Sequence, residues 1–228
     1  MKKAMKIVFA VVVVLAVAVG LWVALRPTDK TDERMIFYEW GRLYAESLTA
    51  RSDDLAIQAK DFSISTAEFE NMVAQNELAG QSEPEAVQSA LTAFIEKRSL
   101  YAMAVSEGFH VEEASIRQKL EADKLAVRQA DNVEDFYEMI EGADMTEDEY
   151  WDSMFEKYQM LATVEAFTTA EREAYLKAGN SEMDTEAWEA YCLRLAQMAV
   201  ERQNITLAEP YTWELTEENY GQHYWPKL

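Results

Sequence analysis

The chain has 228 residues, a formal net charge of −21 and 49% hydrophobic residues. A field of that sign repels nucleic acid and anionic headgroups and argues against both as partners, while the recurring tryptophan, tyrosine and phenylalanine argue against a disordered acidic tail. Cys192 is the only cysteine, so no disulfide forms within the chain, and its helical setting beside Tyr191 and Leu195 predicts a buried thiol.

Residues 1–6 form a basic tip with Lys2, Lys3 and Lys6, and the run Ile7 to Leu25 carries no charge. At about 1.5 Å rise per residue that run just crosses a hydrocarbon core of roughly 30 Å, which predicts a transmembrane helix or uncleaved signal anchor over 7–25. It offers no solvated face, unlike a buried helix of a globular domain. Arg26 and Pro27 end the run, and residues 26–32 read as a linker. The clustered positive charge predicts a single-pass cell-membrane protein with its N-terminus cytoplasmic and its C-terminal domain extracytoplasmic, the lipid bilayer being one partner. The second reading is a signal peptide cleaved near Ala18-Val19-Gly20, with secretion of the remainder. No cysteine follows the run, which argues against a lipid-modified N-terminus.

Lys2, Lys3, Lys6 and Arg26 all precede Pro27, so beyond it the 42 acidic residues face only the remaining lysines and arginines. With seven glycines and four prolines in the whole chain, residues 33–208 read as one mainly helical domain. Ile36, Phe37, Trp40, Leu43, Tyr44 and Leu48 recur at helical spacing. Leu55, Ile57 and Ala59 then alternate with polar residues, predicting a short strand that ends near Asp61. Ser65 and Glu68 form a capping-box pattern behind Ile64, so a helix begins at Thr66. Ser82 and Glu85 repeat the pattern with Pro84 in the first turn. The helix that follows carries Val87, Leu91, Phe94, Tyr101 and Val105 on one stripe and stops at Gly108. A sparser apolar face, Ile116, Leu120 and Val127, predicts a helix over Glu112 to Ala130 that partly faces solvent or a cleft. Val133 to Glu141 is a short helix before Gly142. Thr146 and Glu149 cap a long helical segment with Trp151, Met154, Phe155, Tyr158, Leu161 and Ala162, broken near Thr168 and ended by Gly179. A last helix runs from Thr185 to Arg202. Ile205 to Leu207 reads as a strand that pairs with Leu55 to Ala59, giving a minimal two-stranded element. The segment 209–228, with Tyr211, Trp213, Tyr220, Tyr224 and Trp225, reads as an irregular aromatic strap.

Chemistry is sparse in this pattern. His110 and His223 lie far apart, one cysteine builds no thiolate site, and no glycine-rich phosphate loop or nucleophile elbow occurs. Asp144, Glu147, Asp148 and Glu149 read as the acidic start of a helix. No catalytic set, metal site or cofactor is expected. The eleven methionines and many aromatics suit adaptable apolar contact, though most must build the core. Phe94, Tyr101, Phe109, Ile116, Leu120, Trp151, Phe155 and Tyr158 are the candidate contacts with an unfolded client in a cleft between helical lobes.

The domain resembles the N-terminal chaperone region of the SurA and PrsA class of extracytoplasmic folding factors, a peptide-binding domain of the trigger-factor and SurA kind. Phe62, Ile64, Ser65, Glu68 and Phe69 look like its short strand, polar cap and Glu-Phe pair. Leu91, Phe94, Ile95, Leu100, Ala104, Gly108, Phe109, Val111, Glu113 and Ile116 look like its long helix, glycine turn and next helix. Phe136, Met139, Met145, Tyr150, Phe155 and Leu161 are similar to the paired helices that follow. Asp61 and Glu112 depart from the family's usual turn glycine and helix cap, and no stretch fits a complete parvulin domain. The resemblance implies a membrane-anchored, extracytoplasmic chaperone-like protein that binds unfolded or newly translocated polypeptides. Two alternatives stay open, a helical adaptor for one envelope or membrane protein and a divergent prolyl isomerase.

Overall fold

The computed structural model describes residues 30–49, 52–181 and 184–227. Eight α-helices and three short strands occur among them, in the order α1 Lys30–Thr49, β1 Leu55–Gln58, β2 Ser63–Ser65, α2 Thr66–Leu78, α3 Glu83–Ser106, α4 Glu113–Arg128, α5 Val133–Gly142, α6 Glu147–Ser153, α7 Phe155–Lys177, α8 Thr185–Glu201 and β3 Thr206–Leu207. A one-turn 3-10 helix, Gln222–Tyr224, lies in the C-terminal strap.

No helix among the described residues is long and apolar enough to cross a membrane. The expected transmembrane helix over 7–25 and the basic tip before it lie outside the described residues and have no counterpart among them. The expected architecture is therefore corrected to a mainly helical domain with a small sheet, and single-pass topology, membrane anchoring and a bilayer partner are not carried further. Helix α1 already begins at Lys30, within the segment read as a linker.

Local chemistry explains the helix boundaries. The Ser65 hydroxyl accepts from the Glu68 amide at 3.2 Å and starts α2, but the Glu68 carboxylate turns away to Arg98 instead of completing the box. Before α3, the Ser82 amide and hydroxyl both donate to Glu85 Oε2, at 3.0 and 2.7 Å. Gly108 at φ 87° takes the left-handed conformation after α3, and the Phe109 amide reaches back to the Ala104 carbonyl at 3.0 Å, closing the helix end. Glu112, in the N-cap position of α4, makes no side-chain cap bond. The long segment after Thr146 is divided, but at Met154 rather than Thr168. The Met154 amide bonds both the Tyr150 and Trp151 carbonyls at 3.2 Å and ends α6, whereas Thr168 satisfies its hydroxyl on the Glu165 carbonyl one turn back and leaves α7 continuous.

Three strands, in the order β2-β1-β3, replace the expected two-stranded element, and both pairings are antiparallel. The expected return of Ile205 to Leu207 onto the first strand is observed as β3 against β1. Gln203 fastens this return. Its side chain accepts from the Asp61 amide at 3.1 Å and donates to the Asp61 carboxylate at 3.0 Å, and its carbonyl accepts from the Lys60 amide.

The core has three clusters. The sheet, α2 and the first half of α3 bury Ile57, Ile64, Phe69, Leu91 and Ile95. Helices α1, α4, α6 and α7 enclose Tyr44, Ile116, Trp151, Met154 and Tyr158. The rest of α3, with α7, α8 and the strap, buries Leu100, Phe167, Trp188, Cys192 and Trp225. Helices α1 and α5 cross in backbone contact: a Cβ on Gly41 would lie 1.8 Å from the Met139 carbonyl oxygen, and one on Gly142 would lie 1.9 Å from that of Tyr38.

Candidate functional site

The candidate client contacts do not assemble into one accessible surface. Phe94, Ile116, Leu120, Trp151 and Tyr158 are only 1% to 6% exposed, with Phe94 in the sheet cluster and the other four in the α1/α4/α6/α7 cluster. Helical spacing selects apolar side chains on a shared face, and here that face is core, which corrects their reading as contacts. Tyr101 and Phe109 are half-buried against the third cluster, Phe109 standing edge-on to Phe167 at 5.5 Å between ring centres. Phe155 is half-buried under the Arg117 guanidinium, 4.9 Å from its ring centre, and borders a shallow cavity of about 500 Å³ with Asp152, Ser153 and Glu156.

A more capable surface lies at the sheet edge. The Ala208 amide donates to the Ala56 carbonyl at 3.0 Å, and Ile57 faces Leu207. Hydrogen-bonded and non-bonded pairs alternate along an antiparallel ladder, so Ile57 and Leu207 form a non-bonded pair and the N–H and C=O of Leu207 point away from β1. Because β3 is the outer strand, these groups face an edge with no strand beside it among the described residues.

A groove of about 550 Å³ runs along this edge. Gln197, Val200 and Glu201 of α8 form one wall, Asn204, Ile205 and Leu207 the floor, and Trp213, Glu214 and Leu215 of the strap the other wall. Val200, Ile205, Leu207 and Trp213 are half-buried, so apolar surface remains for an occupant. The strap is fixed on α3. The Trp213 indole donates to Thr92 Oγ1 at 2.8 Å, and Gln88 Nε2 donates to the Thr212 carbonyl at 3.2 Å. Farther along, the Gly221 amide donates to Glu96 Oε2 at 2.7 Å. Glu96 is fully buried and its Oε1 has no hydrogen-bond partner among the described residues, so desolvation, only partly opposed by the Gly221 bond, raises its carboxyl to about 7.

Elsewhere the titrating groups are structural. Burial pushes the Cys192 thiol up to about 12, which leaves it unreactive as expected. The buried Asp123 carboxyl is raised by desolvation and accepts from the Tyr158 hydroxyl at 2.9 Å. His110 is exposed. Among the described residues no group of three or more His, Cys, Asp or Glu side chains is placed to hold a metal ion.

The groove was only partly legible in the sequence. Ile205 and Leu207 carry a strand pattern, and the aromatic strap was evident, but the wall formed by Val200 and Trp213 depends on how the strap crosses α3 and α8. Such a groove can accept an extended main chain by strand addition and cover its side chains with apolar surface. No family model, no curated protein and no solved structure matches this chain.

Proposed function

We propose that the chain holds extended, nonnative polypeptide segments, with the groove beside β3 as the binding surface and a domain of the SurA and PrsA kind as its scaffold. The observation that carries this reading is the outward-pointing N–H and C=O of Leu207 on the floor of a half-apolar groove. The resemblance of the Ser65 to Phe69 and Leu91 to Ile116 segments to that class supports it. The edge is two residues long, so the main chain contributes about 1 kcal/mol per hydrogen bond and little selectivity. Weak, sequence-tolerant capture suits a holding protein better than an adaptor for one partner. Glu201 and Glu214 in the walls, within a chain of net charge −21, favour basic segments.

The test is titration of fluorescent unstructured peptides, neutral and basic, onto the protein and onto two variants. Leu207→Pro removes the outward N–H without taking a donor from the β1 ladder, and Val200→Glu places a charge in the wall. We expect micromolar or weaker binding of several unrelated peptides and at least a tenfold loss in both variants, with the helical circular dichroism retained. Equal affinity in both variants and the parent would show that the groove is not the binding surface.

A further inference from the structure

The floor of the β3 groove restricts which polypeptides fit it, because a strand has two faces and only one of them meets the groove's apolar surface. Ile57 and Leu207 face each other across β1 and β3, and Ile57 is fully buried. Val200, Ile205, Leu207 and Trp213 all pack on the cluster to which Ile57 belongs. The next pair, Gln58 and Thr206, turns to the other face, and both residues are exposed. The apolar surface given by Val200, Ile205 and Trp213 therefore lies on the Leu207 side of the sheet, and the side where Thr206 stands meets water.

Paired strands keep this alternation in step. An antiparallel segment laid along β3 exchanges both outward groups of Leu207 with one residue of its own, and that residue's side chain falls on the Leu207 face, in the groove walled by Val200 and Trp213. Its two neighbours turn their side chains to the Thr206 face and their N–H and C=O away from β3. The residues two places along return to the groove.

Two other occupants fit less well. A helix with its side chains is about 10–12 Å across, so each turn fills on the order of 500 Å³. A groove of about 550 Å³ thus encloses a single turn, too little for the spaced anchors by which an amphipathic helix binds. A second copy paired through its own β3 would bring Glu201 and Glu214, exposed carboxylates on opposite walls, against their counterparts in a chain of net charge −21.

We propose that the groove selects polypeptide segments by alternation: an apolar residue other than proline pairs with Leu207, polar residues flank it, apolar residues follow two places away on each side, and lysine or arginine lies beyond them. The proposal rests on the reading of the groove as a polypeptide site and adds the pattern that the site accepts. Proline is excluded at the central position because it has no N–H to give to the Leu207 carbonyl. Glu201 and Glu214 stand one on each wall to receive the flanking cations, in exposed pairs that contribute weakly and are screened by salt. Any apolar side chain serves at the inward positions, so capture is tolerant of residue identity and strict in order.

Fluorescence titration of the full chain tests it with short labelled peptides of valine and threonine, flanked by lysines and blocked at both ends. One alternates the two residues about a central valine, and its isomer has the valines side by side. Two further copies of the alternating peptide carry a single backbone N-methyl group, at the central valine or at a neighbouring threonine. We expect the alternating peptide to bind about tenfold more tightly than its isomer, through the apolar side chains it keeps in the groove. Methylation of the central valine weakens binding about fivefold or more, the loss of one main-chain hydrogen bond, whereas methylation of the threonine changes it by less than about twofold. Leu207→Pro and Val200→Glu each weaken the alternating peptide, which assigns its binding to the groove. If no peptide binds, or if both variants bind as tightly as the parent, the groove is not a polypeptide site and this inference falls with that reading. If the variants do lose binding, yet the isomer binds as tightly as the alternating peptide or the two methylated peptides bind alike, selection by alternation is overturned and the groove stands.

Discussion

Glu96 shows how one side chain sets a pH response. Its folded carboxyl titrates near 7, against 4.5 for an ordinary glutamate, because burial disfavours the charged form. The unfolded chain therefore releases this proton first. Its contribution to stability is complete below about pH 4.5, declines as pH rises through 7 and is constant above that, a difference of about 3 kcal/mol. Glu96→Gln keeps an acceptor for the Gly221 amide and cannot ionise. We expect urea denaturation to show the variant more stable than the parent at pH 8 by up to that amount, with the gap closing at pH 4.5. Parallel pH profiles in the two proteins would refute this account. Nothing in the residue pattern marks Glu96 as special, since it stands among charged neighbours on α3; its burial is created by the strap, which carries no period from which its path can be read.

At the level of elements, helix starts and stops were legible because they depend on neighbours a few residues away. Ser65, Ser82, Thr146 and Gly108 act where the sequence places them. The break at Met154 was not legible, because both halves carry the same helical spacing and the interruption lets Trp151, Met154 and Tyr158 enter one cluster. The crossing of α1 and α5 was equally hidden. Gly142 reads as a stop and nothing in the residue pattern singles out Gly41, yet each holds a position where a methyl group meets main-chain oxygen. Backbone cannot yield as a flexible side chain does, so Gly41→Ala and Gly142→Ala should each cost about 3 kcal/mol or more in chemical denaturation, the upper end for overpacking. Both substitutions push the same two helices apart. The double variant should therefore lose clearly less than the two single losses combined, and strict additivity would show that the contacts are independent.

Across the whole molecule, the decisive contact joins distant parts of the chain. Alternation at Leu55 to Ala59 and at Ile205 to Leu207 was enough to anticipate this pairing, while five of the eight candidate client contacts lie in the core, because a helical stripe cannot distinguish core from cleft. Gln203 and Asp61 are 142 residues apart, and their hydrogen bonds hold the return strand to the first hairpin. Pairings of such separation form late, so Gln203→Ala should destabilise the fold by about 2 kcal/mol, chiefly by faster unfolding with the refolding rate little changed. Stopped-flow mixing across a urea series measures both rates, and a loss confined to refolding would place this contact early in folding. The same separation has a meaning during synthesis. A ribosome adds about 5–20 residues per second, so on the order of ten seconds passes between the emergence of Asp61 and that of Gln203. Throughout that interval the nascent hairpin presents the bare flank of β1, the kind of template on which aggregation begins. The holding role proposed above would then belong to a chain that itself passes through the state it captures.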